Sequence, residues 1–410
     1  MEYRLTKSIP LTEDYDVLVA GGGPAGCAAA IAAARQGAKV LLLEQTFMLG
    51  GAATAGPVNA WTPFSDGVRV TYGGIAQEVF RRTKAQMYHI PKDALNWVSI
   101  DPEALKSVYD RMTAEAGVHV LFGSSLAGVE LEAPGTVECL LVSNKAGLTA
   151  YKARVYIDAT GDGDLCAWAG AEWVLGDGRG NTQPATHCFQ LSNVDEYGYR
   201  RGGKMTLHPQ NPDSPIHKIV EDPKYGIADK HICASFIGPG TMGFNAGHLW
   251  GIDATDPESL SAAVVQGRAQ AAAFRDALGT YFPRAFADAF LTQTAPHMGI
   301  RESRRILGDY VFTLEDYLNR STFPDEICRN HYFVDVHPTP TEAADRSGWH
   351  SDDRYEKYRP GESHGIPYRC LTPKGLTNVL TAGRCLSCDH ASQGSLRVMP
   401  ACLTTGEAAG

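Results

Sequence analysis

The feature that most narrows the fold is a strand, a glycine-rich turn and a helix near the start of the chain. Residues 16–20 form a short apolar run rich in Val. Gly21, Gly23 and Gly26 follow as G-x-G-x-x-G, a small-residue stretch runs on to Gly37, and a second apolar run from Lys39 to Leu43 ends at Glu44. Gly21 permits a tight turn, Gly23 lets backbone approach a pyrophosphate, and Gly26 lets helix pack closely on strand. Pro24 and Ala25 open a helix whose free N–H groups and positive dipole end face the phosphates. Glu44 is placed to accept hydrogen bonds from a ribose hydroxyl pair. The pattern predicts a parallel α/β unit that binds a dinucleotide.

Gly238, Gly240 and Gly243 repeat the same spacing. Two more glycines follow with no helix pattern, and no strand ending in an acid stands at the right distance. This copy reads as a loop, which leaves no evident NAD(P)H domain.

The 410 residues suit two domains, or one with an insertion. An excess of 46 acidic over 37 basic residues argues against a nucleic-acid or anionic-membrane partner. No apolar run is long enough to span a membrane, and the first residues lack the apolar core of a signal peptide. Ten scattered cysteines read as reduced, as expected of a cytoplasmic protein. Helices are expected at about 75–88, 102–116 and 257–279, and a small antiparallel meander over 118–157. Residues 335–367 read as long loops. The final segment reads as a helix cut short at Gly410, as in a piece of a longer chain.

Three further segments bring in a resemblance. Residues 155–164 (VYIDATGDGD) resemble the second FAD motif of glutathione-reductase-like flavoproteins, where an apolar strand ends in A-T-G-D. Gly50-Gly51 resemble the double glycine that lets backbone pass close to the cofactor. The run from Asn378 to Gly410 resembles the third FAD segment. Together with the stretches around Gly299–Tyr310 and Ile366–Ser387, the chain resembles the broad FAD-dependent oxidoreductase family, related to fumarate-reductase-like and thiazole-synthase-like proteins. The resemblance implies a Rossmann-like FAD-binding domain, with three layers and a parallel sheet with a β-meander. An inserted mixed α+β substrate or cap domain is expected with it. The implied boundaries are 1–176 and 371–410 for the FAD-binding domain and 177–370 for the cap. The implied site for non-covalent FAD is Gly21, Gly23, Pro24, Ala25, Gly26, Glu44, Gly51, Leu126, Ala159, Thr160, Gly161, Asp162 and Gly383.

Candidates for chemistry are fewer. Residues 297–305 concentrate His297, Arg301, Glu302, Arg304 and Arg305. On a helix, 301, 304 and 305 would share one face and could hold a carboxylate or the pyrophosphate; the plain alternative is a salt-bridged surface turn. His297 is a candidate proton donor. Arg384 and Arg397 are expected near the flavin, where a cation stabilises the reduced form. Cys385 and Cys388 form C-x-x-C, which invites a redox reading. The familiar disulfide reductases carry their pair soon after the first FAD motif, so ordinary buried thiols are favoured here. Asn245, His248, His187 and His390 are further polar groups near the expected substrate region. No histidine has a matched ligand at metal spacing, so no metal is expected.

The reading is therefore an FAD-dependent dehydrogenase or reductase that moves a hydride between a small organic substrate and flavin N5. A separate electron donor or acceptor is expected, and an oligomer is compatible. The alternative is a flavoprotein subunit that passes electrons to a partner. A third reading, without net redox, would need a cysteine such as Cys385 facing the nucleotide.

Overall fold

A computed structural model describes residues 6–201, 206–338 and 355–410. Its centre is a seven-stranded sheet. β1 (Leu11–Ala20), β2 (Val40–Leu43), β3 (His119–Leu121), β4 (Ser125–Ala133), β5 (Thr136–Asn144) and β6 (Gly147–Asp158) run in the order β3-β2-β1-β6-β5-β4. β1, β2 and β3 are parallel, and β6 joins β1 in parallel with Val17 opposite Val155. Residues 118–122 were expected in the meander; His119–Leu121 instead forms the parallel edge beside β2, because Leu41–Leu43 offers it a fully buried partner. The antiparallel meander is β4-β5-β6.

Side-chain alternation sorts this sheet into layers. Val19, Val40, Leu42 and Ile157 face three helices: α1 (Pro24–Arg35), α2 (Gly74–Lys84) and α3 (Pro102–Ala116). Leu18, Ala20, Leu41, Leu43 and Tyr156 face the other way, onto Val137, Leu140 and Val142 of β5. The three layers are thus helices, parallel sheet and meander. The buried side of α1 is mostly alanine, and that smallness lets it lie close between sheet and helices.

Two short antiparallel pairs and a second sheet complete the fold. β7 (Trp173–Leu175) pairs with a later strand. β8 (Phe189–Ser192), β9 (Ile232–Gly238), β10 (Thr241–Ala246) and β11 (Phe290–Thr294) form an antiparallel sheet in the order β11-β8-β10-β9. The long helix Pro257–Tyr281 covers it, with Ala271, Phe274 and Leu278 packed on Phe189, Leu191, Met242 and Phe244. The second G-x-G-x-x-G lies in the β9–β10 hairpin, so it is a turn, as its following sequence implied. β12 (Arg304–Ile306) pairs with β7, and β13 (Glu326–Asn330) with β14 (His364–Pro367).

β15 (Val379–Thr381) returns to the first sheet. It runs parallel to Tyr156–Asp158, while Gly147–Tyr151 of the same β6 strand pairs with β5. One strand therefore serves two neighbours along its length. The helix Met399–Ala409 then packs on α1 at very short range. A Cβ on Gly406 would stand 2.1 Å from the carbonyl oxygen of Ala25, so only glycine fits this crossing. Among the described residues, no helix is long and apolar enough to cross a membrane.

Candidate functional site

The turn after β1 has the geometry its glycines imply. Gly21 has φ +99°, and a Cβ there would meet the Ala159 carbonyl at 2.5 Å. A Cβ on Gly26 would stand 1.8 Å from the Gly21 carbonyl oxygen. Around Gly23, by contrast, nothing lies within 4 Å of a Cβ position, so the backbone there is open to a ligand. Gly23 caps α1 without a side-chain bond, and Pro24 follows at the first helical position. The amides of Ala25 and Gly26 are thus left for a ligand to satisfy. The helix Met399–Ala409 also begins without a side-chain cap, after Val398.

Glu44 sits at the end of β2. Its carboxylate accepts from Gly22 N at 2.8 Å and from both Thr46 N and Thr46 Oγ1 at 2.7 Å. These three bonds fix its position and leave one lone pair for a hydroxyl. After β6, fully buried Asp158 accepts from Thr160 N, Thr160 Oγ1 and Cys166 N and so shapes the Ala159–Asp162 turn. Asp162 pairs with Arg384 at 2.9 Å, and Asp164 pairs with Arg304. Burial, then Asp162 and Asp158, push the Asp164 carboxyl up to about 6 against the pull of Arg304.

These turns open on one cavity of about 2220 Å³. Gly21, Gly23, Pro24, Ala25, Glu44, Gly51, Leu126, Ala159, Thr160, Gly161, Asp162 and Gly383 all line it. Gly26 lies beneath, against Gly21. His297, Arg301, Arg384 and Arg397 line the same cavity. A single small-molecule pocket is typically about 300–1,000 Å³, so there is room for an extended cofactor and a substrate together.

The arginine cluster differs from the expected helix. Arg301 lies in a loop, and Arg304 and Arg305 in β12, where their heads diverge. Arg305 pairs with buried Glu302 and bonds the carbonyls of Gly176 and Cys388; it braces loops and does not line the cavity. The i, i+3, i+4 spacing is thus incidental, because pairing of β12 with β7 wins over helix formation. Arg301 is 7% exposed and donates to Pro184 O at 2.8 Å, Thr186 Oγ1 at 2.7 Å, His231 Nε2 at 3.1 Å and Asn245 Oδ1 at 3.2 Å. All four partners are neutral. Burial first, then the nearby Arg397, lowers its guanidinium to about 10, so it stays charged at neutral pH. Arg397 donates to the Asp335 carbonyl at 2.8 Å.

Cys385 does not reach the cavity. It is fully buried beside Leu165, Cys166 and Ile306, with Sγ toward the carbonyls of Ala382 and Asp158. Burial pushes the Cys385 and Cys388 thiols well up, away from the reactive thiolate. His187 bonds the Ala295 carbonyl and His390 bonds Glu302. Tyr368 and Arg369 lie outside the cavity, Arg369 in an ion pair with Asp325.

Sequence reasoning missed the densest polar group on the wall. His231, His248 and His337 come from three different loops and meet there, flanked by Asp229 and Asp335. Burial, aided by Arg301, lowers all three imidazoles, His337 to about 3. The acid Asp229 is held low against its burial chiefly by His248.

The residues fit FAD on three counts: an open glycine backbone at an uncapped helix, an acid at the end of β2, and a cavity larger than one small ligand. A family model decides the matter: the description "FAD dependent oxidoreductase" matches residues 16–410. The chain belongs to this family, and it is an enzyme. A geranylgeranyl bacteriochlorophyll reductase-like protein of Thermoplasma acidophilum is 19% identical, with 70% of this chain and 66% of that one covered and a TM-score of 0.41. For p-nitrophenol 4-monooxygenase of Pseudomonas putida the values are 12%, 72%, 70% and 0.43. For anhydrotetracycline hydroxylase of Streptomyces rimosus they are 14%, 97%, 60% and 0.42. The curated protein "Putative bifunctional amine oxidase" of Dictyostelium discoideum is 48% identical over 48 residues, 12% of this chain. The matched segment spans 4% of that relative's length.

Proposed function

We propose that this FAD-dependent oxidoreductase holds its cofactor non-covalently along the cavity and acts as a dehydrogenase or reductase on a small organic substrate. The observation that carries the reading is the continuity of the cavity from Gly21 and Gly23 to Arg301. When bound, FAD supplies a hydride acceptor or donor at its N5. The chain does the rest. The Ala25 and Gly26 amides bind phosphate, Glu44 takes a ribose hydroxyl, and the turn at Gly161–Asp162 and Gly383 lines the path between. Arg384, Arg397 and the uncapped helix at Met399 place positive potential where negative charge grows on reduction. Arg301 orients Asn245 and gives the substrate end a buried positive charge that favours an anionic substrate. His297 stands on the wall as a proton donor or acceptor.

The polar wall favours a substrate over the alternative of a subunit that only relays electrons, which calls for an apolar space ahead of the cofactor. The reading without net redox loses its candidate residue, since Cys385 faces away. Ten free thiols fit a cytoplasmic setting. The electron partner is a separate reductase, a quinone or oxygen.

The test is an absorbance spectrum of the purified protein, followed by anaerobic NADH or NADPH. Flavin bands, released by denaturation and unbleached by either nucleotide, are the expected result. Rapid bleaching would reveal a nicotinamide site, and a colourless protein that takes up no added FAD would defeat the reading.

A further inference from the structure

The histidine group on the cavity wall brings ring nitrogens from three loops together between two acids. His231 precedes β9, His248 follows β10, and His337 lies beyond β13. One ring nitrogen of each lies within 4.8 Å of the other two. His248 Nε2 and His337 Nδ1 stand 2.8 Å apart. Their outer nitrogens face carboxylates: His248 Nδ1 lies 3.4 Å from Asp229, and His337 Nε2 lies 3.4 Å from Asp335. A carboxylate favours an N–H group opposite it. With both N–H groups turned outward, the inner nitrogens present lone pairs to each other. Two lone pairs facing each other across this central gap repel, and a cation set between them relieves the repulsion.

We propose that His231, His248 and His337 form a binding site for a divalent first-row transition ion of the zinc type, set in the wall of the cavity. Imidazole donors suit zinc, nickel, copper or iron, whereas calcium and magnesium demand oxygen. Carboxylates on the outer nitrogens are the usual support of metal-bound histidines, fixing tautomer and ring direction. Tetrahedral ligands on an ion with bonds of about 2.05 Å lie about 3.3 Å apart, so the His248–His337 pair, 2.8 Å apart, opens by about 0.5 Å to hold the ion. Asp229 and Asp335 offset part of the ion's charge, with Arg301 and Arg397 opposing it. The ring of His231 stacks on His248 with centroids 4.3 Å apart and accepts from Arg301. It must turn off that stack and exchange the arginine for the ion, so it is the weakest of the three ligands. A three-histidine set leaves further positions for water or substrate on the cavity side.

The experiment uses the FAD-loaded enzyme, dialysed against a chelator and then against a small excess of zinc sulfate. Zinc per chain is read by elemental analysis and flavin per chain by absorbance. One zinc per chain is expected for the wild type. His248→Asn and His337→Asn are expected to weaken zinc binding about tenfold or more, His231→Asn less, and His217→Asn, a cavity imidazole outside the group, not at all. Circular dichroism and flavin content check that each variant folds. Sub-stoichiometric zinc in the wild type, or full zinc in both His248→Asn and His337→Asn, overturns the proposal and assigns the central gap to a shared proton. Loss of flavin with zinc retained strikes the flavoprotein reading alone.

Discussion

Glu44 is tied to Gly22 and Thr46, and those bonds make it a rigid acceptor at the cavity rim. Replacing it reverses the charge and removes the brace. Glu44→Arg is expected to lower the FAD-to-protein ratio after gel filtration at least tenfold; full flavin content in that variant would remove Glu44 from the site. Asp164 carries a different prediction. Its folded carboxyl is raised to about 6 from the ordinary 3.8, so the folded state holds a proton that the unfolded state releases. That contribution is present at low pH and is lost as pH rises through 6. Melting temperatures of Asp164→Asn, relative to wild type, should therefore rise between pH 4 and pH 7; a constant difference would contradict the assignment. Residues such as Glu44 and Gly26 were legible because their partners lie in the same strand–turn–helix unit. Arg301 was legible as a cation of the site, but not its partners, which come from residues 184–245.

Elements followed their local signals wherever those were strong. Asp101 caps α3 by accepting from Glu103 N at 2.9 Å and Ala104 N at 3.3 Å, with Pro102 next. Asp101→Ala should cost about 1 kcal/mol of stability, read by denaturant unfolding, and leave FAD content unchanged because α3 lies away from the cavity. The meander and the long helix after Asp256 were equally plain. His119–Leu121 was not, because a three-residue strand has no periodicity of its own and takes its direction from β2. Nor was β12, whose charged residues carry helical spacing while their backbone pairs with β7. In both cases the deciding partner is distant in sequence.

At the scale of the whole molecule, the proposed cofactor site draws on β1, β2, the end of β6 and the segment after β15. Occupancy should therefore stabilise the entire first sheet. FAD at about a hundred times its dissociation constant adds roughly 2.7 kcal/mol, and a thermal scan of apo against reconstituted enzyme should show one transition moving upward. A first transition that stays in place would mean the sheet folds independently of the site. The cofactor and the layer order could be anticipated because their signals are contiguous runs, whereas the strands of the second sheet could not, because regular alternation is weak between residues 177 and 370. The three-histidine group could not, because residues 231, 248 and 337 share no spacing and stand in loops.

The close crossing of the Met399–Ala409 helix on α1 sets an order of events during synthesis. Gly406 must reach Ala25, and β15 must slide in beside β6, before the cavity has its far wall. At about 5–20 residues per second, a ribosome needs on the order of tens of seconds to pass from the glycine turn to these closing segments. Through that interval the nucleotide turn is finished while its enclosure is still unmade. The cavity is thus enclosed last, and the earlier half of the chain waits with an open apolar flank until its C-terminal segments arrive.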